Sequence, residues 1–167
     1  MREIVLDKVV VNIGIGSNDQ LFQNSKMLIS KLTGRNAVAT KARKRDPSLN
    51  IKRGQVIGAM VTLRKGAASD MLKRALDANN NTLKERSIID NSLSFGIKEY
   101  IDFAGVKYDP KIGMMGMNIN ANFSRKGKRV EMRRRMRGKE DHDHRRVSRE
   151  EITQFMEKNF GVKISNE

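Results

Sequence analysis

The sequence predicts a single domain that mixes β-strands with amphipathic α-helices, and three observations carry that expectation. KVVVNIGIG, from Lys8, and GMNINANF, from Gly116, alternate along the chain with the two-residue period of a strand. Three other segments repeat apolar residues at helical spacing. At 167 residues and 38% hydrophobic content, with no internal repeat or linker, the chain can build one core without staples.

Taken in order, Val9, Val11, Ile13 and Ile15 fall on one face of the first strand, and Val10, Asn12 and Gly14 on the other. Ser17, Asn18 or Asp19 then caps a helix whose stripe is Leu21, Phe22, Leu28, Ile29 and Leu32, and Gly34 stops it. Ala37–Arg43 and Gln55–Leu63 read as two strands of a hairpin whose basic loop stands clear of the body. Asp46-Pro47 and Gly54 supply its turn chemistry. Ala67–Ala78 is a second helix, with Met71, Leu72, Ala75 and Leu76 inward, ended by Asn79-Asn80-Asn81. A short strand is expected near Ser94–Ile97.

The most regular alternation follows: Met117, Ile119, Ala121 and Phe123 on one face, Asn118, Asn120 and Asn122 on the other. After it, SRKGKRVEMRRRMRGK has no apolar periodicity and is expected to be poorly ordered without a partner. The last helix begins at Ser148, where Ser148 and Glu151 have the spacing of a capping box, and Ile152, Phe155, Met156 and Phe160 form its stripe.

Lysine and arginine number 34 against 19 acids, a formal charge of +15 whose self-repulsion opposes compaction unless a polyanion or counterions neutralise it. Nucleic acid is therefore the first partner to consider. With no cysteine, disulfides, thiolate nucleophiles and cysteine-ligated metals are excluded. MREIVLDK lacks the apolar core of a signal peptide, and no apolar run is long enough to span a bilayer, so a soluble, intracellular protein is expected.

Gly14-Ile15-Gly16 imitates the opening of a dinucleotide-binding turn, but the third glycine position holds Asp19, whose carboxylate would repel a pyrophosphate. His142 and His144 alternate with Asp141 and Asp143, all acceptable metal ligands, and the competing reading from another class is a metal-dependent nuclease using them. No other histidine or cysteine exists to close a coordination shell, and Ser92 and Ser94 have no histidine near them in sequence. No cofactor or small-molecule substrate is implied.

Two basic clusters carry more. One surrounds Asp46-Pro47, with Lys41, Arg43, Lys44 and Arg45 before it and Lys52 and Arg53 after. The other runs from Arg125 to Arg137. Guanidinium groups donate bidentately to phosphate oxygens, and each neutralised phosphate releases counterions. Aromatics are only 5% and tryptophan is absent, whereas single-strand binders rely on exposed rings. The expected partner is folded, double-helical or looped RNA read by its backbone shape, with Asn12, Asn118, Asn120 and Asn122 offered to sugar hydroxyls and base edges.

Four blocks in this order, KVVVNIGIG, TKARKRDPSLNIKRGQVIGAMVTLR, SFGIKEYIDFAGVKYDPKIGMMGMNIN and HRRVSREEITQFMEKNFGVKI, resemble the large-subunit ribosomal protein L-five family, in its archaeal and eukaryotic branch. The resemblance covers nearly the whole chain. It implies one α+β domain over residues 1–167, an antiparallel sheet with helices on one face and RNA on the other, and no enzymatic activity. It further implies a cytoplasmic, ribosomal location, 5S ribosomal RNA and large-subunit ribosomal RNA as partners in the central protuberance, and an intersubunit bridge to a small-subunit protein. The ribosomal RNA contacts expected are Asn12, Lys41, Arg64, Asn118, Asn120, Asn122, Arg125, Lys126, Arg133, Arg134 and Arg135. The hairpin tip, residues 43–53, would reach peptidyl-site transfer RNA through Arg43, Lys44, Arg45, Lys52 and Arg53. Glu140, Asp141 and Asp143 depart from that branch's usual pattern, which counts against RNA contact by residues 140–144.

Overall fold

Strand β1 (Ile4–Gly14) runs through the middle of the molecule, and everything else is placed relative to it. The computed structural model describes residues 3–16, 18–139 and 141–165. The β1 strand starts earlier than its alternation suggested, because the register shifts between Leu6 and Lys8 and so breaks the two-residue period at Asp7. On one side it pairs antiparallel with β3 (Val56–Leu63), on the other with β7 (Met117–Arg125). Outside these lie β2 (Val38–Lys41) and the hairpin of β6 (Ser92–Ile97) with the two-residue β5 (Ile88–Ile89). The result is a six-stranded antiparallel sheet ordered β2-β3-β1-β7-β6-β5.

Parity decides the two faces. Val9, Val11, Ile13, Ile119, Ala121 and Phe123 are almost completely buried, and each faces the helices. Helix α1 (Asp19–Thr33) is capped by Asn18, whose side chain accepts from the N–H groups of Gln20 and Leu21, and is closed by Gly34 at φ +66°. Of the proposed caps, Ser17 lies outside the described residues. The buried stripe of α1 includes Leu28, Ile29 and Leu32 but also Ser25, whose hydroxyl donates to the Phe22 carbonyl at 2.8 Å, while Leu21 is 37% exposed. Helix α2 (Gly66–Ala78) buries Met71, Leu72, Ala75 and Leu76 as its spacing predicts. Asn80 and Asn81, both at positive φ, turn the chain out of it.

The sequence pattern offers no sign of a second sheet, in which β4 (Thr82–Lys84) pairs in parallel with β8 (Lys163–Ser165). Strands of three residues are too short to show a period. A 3-10 turn, Glu85–Ser87, separates β4 from β5. The arginine-rich stretch is not featureless: it holds the single-turn helix α3 (Arg129–Met132), and a second single turn, α4 (His142–Arg145), follows it. The chain returns to the body at Val147, which is fully buried and donates its N–H to Asn91 Oδ1 at 2.6 Å. Helix α5 (Arg149–Phe160) then starts on the capping box that Ser148 and Glu151 were expected to form. Phe155 meets Phe123 edge to face, with centroids 5.6 Å apart, which locks α5 onto the same sheet face as α1 and α2. The α+β expectation, helices on one face of an antiparallel sheet, is what the structure shows.

Candidate nucleic-acid interface

With the helices on one face, the other face of the sheet is bare, and the registers put its side chains in rows. Asn12 lies between Met60 on β3 and Asn118 on β7, and Asn118 opposes Gly96 on β6. One row along, Val10 lies between Thr62 and Asn120, and Asn120 opposes Ser94. In the next row Lys8 opposes Asn122, and Asn122 opposes Ser92. None of these positions carries a carboxylate. The amides and hydroxyls both donate and accept, so this surface can answer 2′-hydroxyls and base edges in either sense. A Cβ on Gly96 would stand 3.3 Å from Asn118 Oδ1, so that amide leans across β6.

Lys8 was missed, although it shares parity with Val10 and Asn12 and the alternation alone could have found it. Arg64, exposed just beyond Leu63, follows the residue that pairs with Val9, so it stands at the same end of the sheet as Lys8. The bare face is thus neutral in its middle and cationic at one end.

The hairpin tip is organised by its own small contacts. Asp46 and Ile51 form a bridge, Ala42 and Ile51 turn inward, and Gly54 takes φ +85°. Asp46 Oδ1 accepts from the Ser48 hydroxyl at 2.6 Å and from its N–H at 3.0 Å. The Ser48 hydroxyl is the main reason that the Asp46 carboxyl titrates below its ordinary value. This anion is absorbed by the turn, while Arg43, Lys44, Arg45, Lys52 and Arg53 are exposed and make no ion pair among the described residues. Lys41 is exposed at the end of β2, where the tip begins.

The second basic cluster divides into two sets. Lys126 pairs with Glu3, Lys128 with Asp7 at 2.7 Å, Arg145 with Glu131 at 3.3 Å and Arg146 with Asp90 at 3.2 Å. The pairs with Glu3, Asp7 and Asp90 peg the ends of the stretch to the body, and Arg145–Glu131 ties α4 to α3. Between them Arg133 closes a turn by donating from Nε to the Met136 carbonyl at 2.7 Å, and Arg134, Arg135 and Arg137 are exposed with no ion pair among the described residues. Arg125, expected to meet phosphate, is placed otherwise: its side chain is only 12% exposed and its Nη2 lies 2.7 and 2.8 Å from the two oxygens of Glu151. Sequence cannot separate these two sets, because Glu3, Asp7 and Asp90 are remote in the chain and Glu131, 14 residues from Arg145, is no nearer to it than to the unpaired arginines.

The side chains of His142 and Asp143, and all of Glu140, lie outside the described residues. His144 Nε2 is 3.3 Å from the Lys126 carbonyl. Among the described residues there is no group of three or more histidine, aspartate or glutamate side chains that could hold a metal ion. No helix among them is long and apolar enough to cross a membrane.

A sequence model of the C-terminus of the ribosomal L-five (uL5) family matches residues 56–161. The large ribosomal subunit protein uL5 of Sulfolobus acidocaldarius is 42% identical over 166 residues, spanning 98% of this chain and 92% of the relative. The uL5 protein of Pyrobaculum aerophilum is 39% identical over 165 residues, with 98% and 92% covered, and that of Methanoregula boonei 37% over 166 residues, with 98% and 99% covered.

Proposed function

Because this chain belongs to the ribosomal L-five (uL5) family, we propose that it is a structural, non-enzymatic constituent of the large ribosomal subunit in the cytoplasm, holding 5S ribosomal RNA and large-subunit ribosomal RNA together. The observation that carries this reading is the segregation of its charge. An amide and hydroxyl face without carboxylates is accompanied by two sets of exposed cations that make no ion pair among the described residues. Such a surface attracts phosphate through its margins and tests shape and hydroxyl pattern through its centre.

On this reading Asn12, Asn118, Asn120 and Asn122 meet sugar and base edges, and Arg64, Lys41 and Arg133–Arg135 meet phosphate. The tip, carried away from the body by β2 and β3, is suited to a second RNA. Arg43, Lys44, Arg45, Lys52 and Arg53 are assigned to peptidyl-site transfer RNA, in keeping with the family resemblance. The bridge to a small-subunit protein rests on that resemblance alone.

The test is a salt titration of affinity for 5S ribosomal RNA beside a length-matched structured RNA. Preference for 5S by orders of magnitude at physiological salt supports the assignment. Equal affinities that collapse together as salt rises would reduce the chain to a nonspecific polycation.

A further inference from the structure

A cavity of about 600 Å³ opens beside β6, at the edge of the rows described above. It exists because the chain leaves β4, detours through Glu85–Ser87, and rejoins the sheet only at the two residues of β5. Those two pair with Ser92 and Leu93, so Ser94–Gly96 has a strand neighbour on the β7 side alone. The tight turn at Asp90-Asn91 makes Ile89 and Ser92 a hydrogen-bonded pair. Hydrogen-bonding direction alternates along a strand, so the backbone N–H and C=O of Ser94 and Gly96 point the same way as those of Ser92, into the cavity.

The opposite wall carries Lys84 and Arg86, both exposed, and Leu83 and Phe95 supply apolar surface. The corner is fixed by Asn79, whose amide donates to the Thr82 carbonyl at 2.5 Å. Among the described residues no carboxylate lines the space, and Glu85, between Lys84 and Arg86 in sequence, is turned to Arg149 at 3.2 Å. The volume falls within the range of about 300–1,000 Å³ typical of small-molecule sites. A ligand matched to this lining has a planar apolar body, edge groups that pair with a strand, and a negative charge. A nucleotide has all three.

We propose that this cavity receives one unstacked nucleotide of the bound RNA, its base beside Phe95 and the open edge of β6, its phosphate between Lys84 and Arg86. The inference rests on the RNA-binding reading above. It extends that surface sideways, because Ser94 and Gly96 belong both to the bare face and to the cavity rim. It also places an aromatic contact where the sequence, poor in exposed rings, suggested none.

The full chain, labelled with nitrogen-15, is titrated with adenosine and uridine monophosphates, inorganic phosphate and a polyglutamate peptide, as wild type and as the Lys84→Ala/Arg86→Ala double variant. Both substitutions are on the surface, and an unchanged melting temperature checks the fold. Saturable shifts of the Ser94 and Gly96 amides with a nucleotide, several-fold weaker in the variant and not reproduced by phosphate alone, support the proposal. The variant's affinity for 5S ribosomal RNA should also fall, with a salt slope smaller by about 1 to 2. Amides that ignore nucleotides, or respond equally in the variant, overturn it. So does polyglutamate moving those amides where nucleotides do not, which would assign the edge to an acidic strand. If wild type prefers 5S ribosomal RNA and the variant binds it equally well, this inference fails while the RNA-binding reading stands. If wild type shows no preference, that reading fails and the nucleotide titration alone decides the cavity.

Discussion

Nη2 of Arg125 lies 2.7 and 2.8 Å from the two carboxylate oxygens of Glu151, joining the last residue of β7 to the first turn of α5 across the base of the arginine-rich stretch. Glu151 also accepts from the Ser148 N–H at 3.0 Å, so one carboxylate closes the ion pair and the capping box.

Glu151→Gln should therefore cost about 1–2 kcal/mol at neutral pH, measured by urea unfolding. Burial pushes the Glu151 carboxyl up, but hydrogen bonds from Arg125 and from the Ser148 N–H outweigh it and hold the group below its ordinary 4.5. An acid depressed in the folded state stabilises above its unfolded value, and that contribution is lost as pH falls through the folded value. The gap between wild type and variant should be full at pH 7 and narrow only below about 4.5. A gap independent of pH would mean that the introduced glutamine perturbs packing rather than charge.

Gly58 and Gly14 face each other across β3 and β1, yet they should respond differently to alanine. A Cβ at Gly58 would come within 2.6 Å of the Ile13 carbonyl oxygen, whereas one at Gly14 meets nothing within 4 Å. Gly58→Ala should destabilise by about 2 kcal/mol or more, since the obstruction is backbone, and Gly14→Ala by about 0.5 kcal/mol or less. Equal melting temperatures for the two variants would contradict this close approach.

At the tip, Arg43→Ala with Arg53→Ala removes charges that make no ion pair among the described residues, so stability should stay within about 0.5 kcal/mol of wild type. Affinity for 5S ribosomal RNA should be nearly unchanged, while translation by reconstituted ribosomes is impaired. A parallel loss of 5S affinity would show that the tip belongs to that interface instead.

Replacing Arg133, Arg134 and Arg135 by alanine should weaken RNA binding and lower its salt slope by about 2 to 3, with little change in stability. Arg125→Ala should do the reverse, because its loss strands Glu151 partly buried without its cation. Unfolding and filter-binding titrations on the two variants separate the roles. An unaltered slope for the triple variant would remove that cluster from the RNA.

The strands and helices that bury a face were legible from sequence because burial imposes a period. Val9, Val11 and Ile13 against Val10 and Asn12, the 117–123 alternation, and the α2 stripe are each a local record of one environment inside and another outside. Caps at Asn18, Gly34 and Ser148 were legible too, since backbone groups at a helix end are satisfied by near neighbours. The basic tip declared itself by composition.

Local pattern and composition thus specify which residues form each long element, which face each one buries, and a charge excess that favours a polyanionic partner. Which cations remain available to that polyanion is settled only by folding. Lys126, Lys128, Arg145 and Arg146 look like Arg133–Arg135 in the sequence and differ only in having Glu3, Asp7, Glu131 and Asp90 brought to them by the fold. The parallel pairing of β4 with β8 and the open edge of β6 are settled in the same way. The cause is common to all three: a period is written by neighbours a few residues apart, whereas an ion pair, a three-residue strand or an unfilled edge depends on groups that only folding brings together.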